Sequence, residues 1–123
     1  MAAPDIAADL FKAAIAGLRG KARRYTLYGS KNDLPMILSK KLHGGYARAG
    51  DGGSNIFVAD GIDTVDASAV GDDILGLGHS YFSDDKSVLS DIYYVVEDML
   101  PPKKRFGLIP RIKAGLEYWL FKP

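Results

Sequence analysis

The stretch Arg24-Tyr25-Thr26-Leu27-Tyr28-Gly29-Ser30-Lys31-Asn32-Asp33-Leu34-Pro35 changes character twice. Its opening, Arg24 to Tyr28, is β-branched and aromatic, follows basic residues and is too short for a helix, so it predicts a strand. Gly29-Ser30 interrupts that pattern. Asn32-Asp33 then offers a cap and Pro35 sits in a first-turn position, while Ile37, Leu38, Lys41 and Leu42 carry a helix to a stop at Gly44-Gly45. A strand that gives way through a short turn to a helix is the unit from which α/β layers are built.

Working outward, Ile6, Leu10, Ala13, Ala14 and Leu18 stand near helical spacing, with Asp5 as N-cap and Gly20 as stop, which predicts a helix over 5–18. Residues 44–55 hold five glycines and read as a surface loop. Two short strand candidates follow, Ile56 to Ala59 and Ile62 to Val65, parted by Asp60-Gly61. Residues 67–86 read as irregular apart from an apolar patch at Ile74 to Leu77, and a loop of that length is commonly functional. Val88, Leu89, Ile92, Val95, Val96 and Met99 place a helix over 87–100, ended by Pro101-Pro102. Leu108, Ile112, Leu116 and Trp119 suggest another near the end. Helices alternating with short apolar strands give an α/β fold of about three short parallel strands with flanking helices. So few parallel strands leave an unpaired edge and apolar surface, so a missing half or self-association is expected.

Composition bounds the partners. The chain has 123 residues, is 47% hydrophobic and carries sixteen basic against fifteen acidic residues, a formal charge of +1. That is one domain's worth of core, with no net field to attract nucleic acid. No apolar run approaches the roughly 18 residues of a membrane helix, so no integral membrane segment is expected. The opening residues lack the pattern of a signal peptide. The compartment stays open, cytoplasmic only by default, because with Met1 internal any export signal would lie upstream. There are no cysteines, which removes a thiol nucleophile and thiolate metal sites. His43 and His79, with scattered aspartates such as Asp63, Asp66, Asp72 and Asp73, match neither a helical zinc pair nor a calcium loop. No metal and no cofactor are expected. Lys103-Lys104-Arg105 reads as a solvated turn, and Tyr118-Trp119-Phe121 as a packing anchor.

The pair with chemical meaning is Asp33, just past a predicted strand, and His79 in Leu77-Gly-His79-Ser-Tyr-Phe82. Active groups of open α/β sheets collect at the carboxyl ends of strands. A carboxylate bonded to one imidazole nitrogen fixes the tautomer and stabilises the imidazolium that forms when the other nitrogen takes a proton from serine. The plainer alternative is that Asp33 caps the helix at Leu34 and His79 is an ordinary loop histidine.

Ala2-Ala-Pro-Asp5-Ile6, Arg24-Tyr-Thr-Leu-Tyr-Gly-Ser-Lys-Asn-Asp33, Ile62-Asp-Thr-Val-Asp-Ala-Ser68 and Gly78-His-Ser-Tyr-Phe82, in that order, resemble a bacterial, esterase/lipase-like branch of the α/β-hydrolases over about residues 2–107. The resemblance implies that the chain is the C-terminal half of that fold, a single partial domain over 1–123, with Asp33 as acid and His79 as base. It also implies a serine on a Gly-x-Ser-x-Gly turn. None of the eight serines completes it: Ser54 would need glycine where Ile56 stands, and Ser80 where Phe82 stands. The resulting expectation is the acid/base half of a serine hydrolase for ester-like acyl substrates, inactive alone. The rival is a non-catalytic α/β module that self-associates or binds a partner through an exposed sheet edge.

Overall fold

The computed structural model describes residues 1, 4–31, 37–38, 41–42, 44–69 and 86–121. Asp33 and His79 lie outside them, as does the Ile74 to Leu77 patch. Two helices, α1 (Ala8–Ala16) and α2 (Lys86–Val96), flank a four-stranded sheet of β1 (Thr26–Gly29), β2 (Asp63–Asp66), β3 (Leu108–Lys113) and β4 (Leu116–Phe121). Residues 37–38 and 41–42 are helical, in keeping with the helix predicted there, and Gly44 and Gly45 take positive φ. Among the described residues no helix is long and apolar enough to cross a membrane.

The strand order is β1-β2-β4-β3. β1 pairs parallel to β2 with Thr26 opposite Asp63 and Gly29 opposite Asp66, and β2 pairs parallel to β4 with Val65 opposite Trp119. Three parallel strands are thus present, but the third is β4, where a helix is expected from the sequence, and not Ile56 to Ala59. The antiparallel β3 makes the sheet mixed and forms its far edge.

Successive residues of a strand face opposite sides, and β1 shows why both sides must be covered. Leu27 packs with Phe11, Ile15, Ala49, Phe57 and Ile62 on the α1 side. Tyr28 packs with Val65, Ala67, Leu108, Trp119 and Phe121, with Ile92 of α2 against them. All four residues of β1 are buried, the mark of a strand with helices on both faces.

Several expectations are corrected. The helix over 5–18 exists, but its buried face is Phe11 and Ile15, while Leu10 is 64% exposed. The Phe11 and Phe57 rings meet edge to face at 5.2 Å, and that contact sets the helix rotation. Its N-cap is Ala7, without a side-chain cap; Asp5 pairs with Arg48 instead. Ile56 to Ala59 forms no strand, although Ile56 and Phe57 are buried. The predicted final helix is a β-hairpin. Lys113 pairs with Leu116 across Ala114-Gly115, whose φ values of +50° and +77° are those of a type I′ turn, and Pro110 would interrupt a helix but is tolerated on an edge strand. Trp119 and Phe121 lie on the core face of that hairpin, as packing anchors should.

The glycine-rich segment is no simple surface loop. Residues 49–52 are buried, and the backbone pairs with the N-terminal segment: Ala8 N donates to Ala47 O at 3.0 Å, Ala49 N to Ile6 O at 2.9 Å and Gly50 N to Pro4 O at 3.0 Å. At Gly29 a Cβ would come within 2.5 Å of Asp51 O. These glycines serve close approach of backbone to backbone, which composition does not distinguish from flexibility.

The basic turn is half right. Lys103 and Lys104 are exposed, but the Arg105 side chain is fully buried, 3.3 Å from Asp91 and 3.7 Å from Asp63.

Candidate functional site

β1 and β2 end side by side. Ala67 N donates to Gly29 O at 2.8 Å, carrying the parallel pairing past the last strand residues. From Gly29 the chain proceeds through Ser30 and Lys31 toward Asp33, and from Asp66 through Ala67 and Ser68 toward His79.

The carboxyl end of this pair is closed by a compact polar cluster. Asp66, 4% exposed, accepts the Ser68 N–H at 2.9 Å and the Ser68 hydroxyl on Oδ1, and the Gly53 N–H at 2.8 Å on Oδ2. Ser68 Oγ in turn accepts the Lys31 N–H at 2.9 Å. A buried carboxylate thus ties the exits of β1 and β2 to the glycine-rich segment, with its oxygens occupied by donors. Gly52 makes this closure fit: a Cβ there would lie 2.3 Å from Ser68 Oγ and 2.8 Å from Lys31 N. Beside the cluster is a recess of about 150 Å³ lined by Ser30, Lys31, Ile37, Asp51 and Gly52 to Asn55.

Asp66 and Ser68, which enter the sequence reading within the run Ile62 to Ser68, belong to the framework at the strand exits. The signal was present, since Asp-x-Ser after a strand is the spacing at which a carboxylate accepts the backbone N–H two residues on. Gly52 carries no comparable signal.

A second polar cluster lies on the α2 side of the sheet. The Tyr28 hydroxyl donates to Asp91 Oδ2 at 2.6 Å, and Arg105 Nη1 reaches the same oxygen at 3.3 Å. Arg105 Nη2 donates to Thr26 Oγ1 at 3.2 Å and Nε to Leu100 O at 2.9 Å. Arg24 pairs with Asp63, so the cluster holds two guanidinium and two carboxylate groups. Burial pushes the Asp91 carboxyl above the ordinary carboxylate range, against the opposing pull of the Tyr28 hydroxyl and of Arg105. Burial likewise raises the Tyr28 hydroxyl far above an ordinary phenol, and Asp91 adds to the effect. An apolar groove of about 360 Å³ between β1 and α2, bounded by Met1, Tyr25, Val95 and Val96, adjoins this cluster.

The described serines offer no nucleophile turn. Ser54 sits in a short 3-10 turn after Gly53, and Ser30 and Ser68 are buried beside the strand ends.

A three-layer arrangement with parallel strands whose exits converge at one end is that of the α/β enzymes. Residues 1–96 match the family model described as Alpha/beta hydrolase of unknown function (DUF900), and the chain belongs to that family. No curated protein and no solved structure matches it. The matched residues include α1, β1, β2 and α2, whereas the β3–β4 hairpin and Arg105 lie beyond them.

Proposed function

We propose that this chain supplies the acid and the base of a serine hydrolase acting on ester-like acyl substrates, with Asp33 as acid, His79 as base and the serine contributed from outside these residues. The supporting observation is the parallel pairing of β1 and β2, because the chain leaves both strands at the same end on its way to Asp33 and to His79. In this reading His79 takes the proton of the serine hydroxyl as its oxygen bonds to the acyl carbon, then delivers it to the departing alcohol. Water reverses the sequence on the acyl-enzyme. Asp33 holds the imidazole in the required tautomer and stabilises its protonated form.

Family membership supports hydrolase chemistry, and the missing Gly-x-Ser-x-Gly turn supports the division of labour. Purified residues 1–123 are expected to hydrolyse a short activated ester no faster than a His79→Ala variant. A fluorophosphonate probe should leave the chain unlabelled; labelling at Ser80 would instead place the nucleophile inside it and overturn the proposal.

A further inference from the structure

Charge is divided unevenly along the chain. Residues 101–123 hold six basic side chains and one acidic, whereas residues 1–100 hold ten basic and fourteen acidic, so the near-zero net charge conceals a basic C-terminal segment. The described part of that segment is the short turn Pro102–Lys104 and the β3–β4 hairpin, and the turn packs against β3, the outermost strand of the sheet. Arg105 is buried against Asp91, and Lys113 Nζ donates to Ser54 O at 3.2 Å and to Ile56 O at 2.6 Å, so both are committed to the protein itself. Lys103, Lys104 and Arg111 are exposed, and among the described residues none of them is in an ion pair. Glu117, opposite Ile112, is the one acid of the segment, and the exposed Glu97 and Asp98 bound it in the sequence.

Two apolar side chains stand out among these cations. Phe106, between the buried Arg105 and Leu108, is 82% exposed, and Ile112 of β3 is 66% exposed. A single exposed apolar residue needs no explanation. An aromatic and an aliphatic side chain projecting from one rim among three cations form the combination that a membrane interface takes up, the acyl boundary receiving the apolar groups and anionic headgroups the charges. We propose that the turn Lys103 to Phe106 together with the edge strand β3 is a docking surface for an anionic lipid bilayer. This surface is the rim of the sheet rather than a recess, which fits a broad plane better than a small ligand. Pro110 makes β3 a poor template for an added strand, and the phosphates of a nucleic acid would use the cations but not Ile112. The proposal holds whether or not Asp33 and His79 act as read above.

It is tested by cosedimentation of the full chain with vesicles of phosphatidylcholine containing about one third phosphatidylserine, and with vesicles of phosphatidylcholine alone. Binding is expected to the anionic vesicles and should weaken as salt rises. Lys103→Gln combined with Lys104→Gln should lower the partition about 25-fold, at about fivefold for each cation near the surface. Phe106→Ser should lower it about tenfold. Removing the same charge elsewhere, by Lys12→Gln with Lys21→Gln, should leave binding within about twofold. All these positions are exposed, and amide spectra identify the folded variants. No binding to the anionic vesicles, equal binding to both kinds, equal losses from the two lysine pairs, or no effect of Phe106→Ser would overturn the proposal. So would binding to a single-stranded oligonucleotide with none to the anionic vesicles.

Discussion

Among the described residues, removing the Arg105 guanidinium leaves Asp91 as a buried carboxylate whose remaining donor is the Tyr28 hydroxyl, with no partner there for Oδ1. Breaking one side of a buried pair costs about 3–5 kcal/mol, so Arg105→Met should lose that much at neutral pH by urea unfolding. Combining it with Asp91→Leu should recover part of the loss, because the uncompensated charge goes too. The pH dependence has a definite sign. Asp91 in the folded chain titrates above the ordinary carboxylate range, so between the unfolded and folded values the folded state holds the extra proton. Stability therefore falls as pH rises through that window and returns as pH falls. Without Arg105 the carboxyl rises further, and the deficit of Arg105→Met should shrink on acidification; a deficit constant with pH would contradict the assignment to Asp91.

The β3–β4 hairpin is governed by its turn. Ala114 holds φ +50°, a conformation that costs a residue with a Cβ about 1–2 kcal/mol, next to Gly115 at +77°. Asn-Gly is the preferred pair for a type I′ turn, so Ala114→Asn should stabilise the chain by about 1 kcal/mol in urea unfolding. Destabilisation would mean that the turn is not of this type. The same hairpin marks where sequence reading stops. Apolar residues at 108, 112, 116 and 119 fit a helix as well as two strands, and Pro110 and Gly115 were the contrary signals. By contrast, β1 and β2 follow short apolar runs read as strands, although the same signal fails at Ile56 to Ala59, and α2 follows its long stripe as far as Val96. The rotation of α1 was not legible: Phe57, which decides it, is remote in sequence. Nor was Arg105, whose burial depends on Asp63 and Asp91 being brought together by the fold.

On the scale of the molecule, the two edges of the sheet differ. On the outer side of β1, Met1 N donates to Thr26 O at 2.8 Å, Tyr28 N to Met1 O at 2.9 Å and Ser30 N to Gly50 O at 2.8 Å. The opposite edge, β3, carries Pro110, which offers no N–H to another strand, and Arg111 and Lys113, features that discourage edge pairing. These features bear equally on the rival module, which would join partners through an open edge, and on a missing half that would extend the sheet. The proposed function requires that Asp33 and His79 meet at the carboxyl end of β1 and β2. Because the chain contains no cysteine, the paired substitution Asp33→Cys with His79→Cys can be tested with a short bifunctional thiol cross-linker without background. Intramolecular cross-linking should be fast and nearly complete in the folded chain, and much slower when Lys104→Cys replaces the His79 change. Equal rates for the two pairs, or no cross-link between positions 33 and 79, would contradict the account.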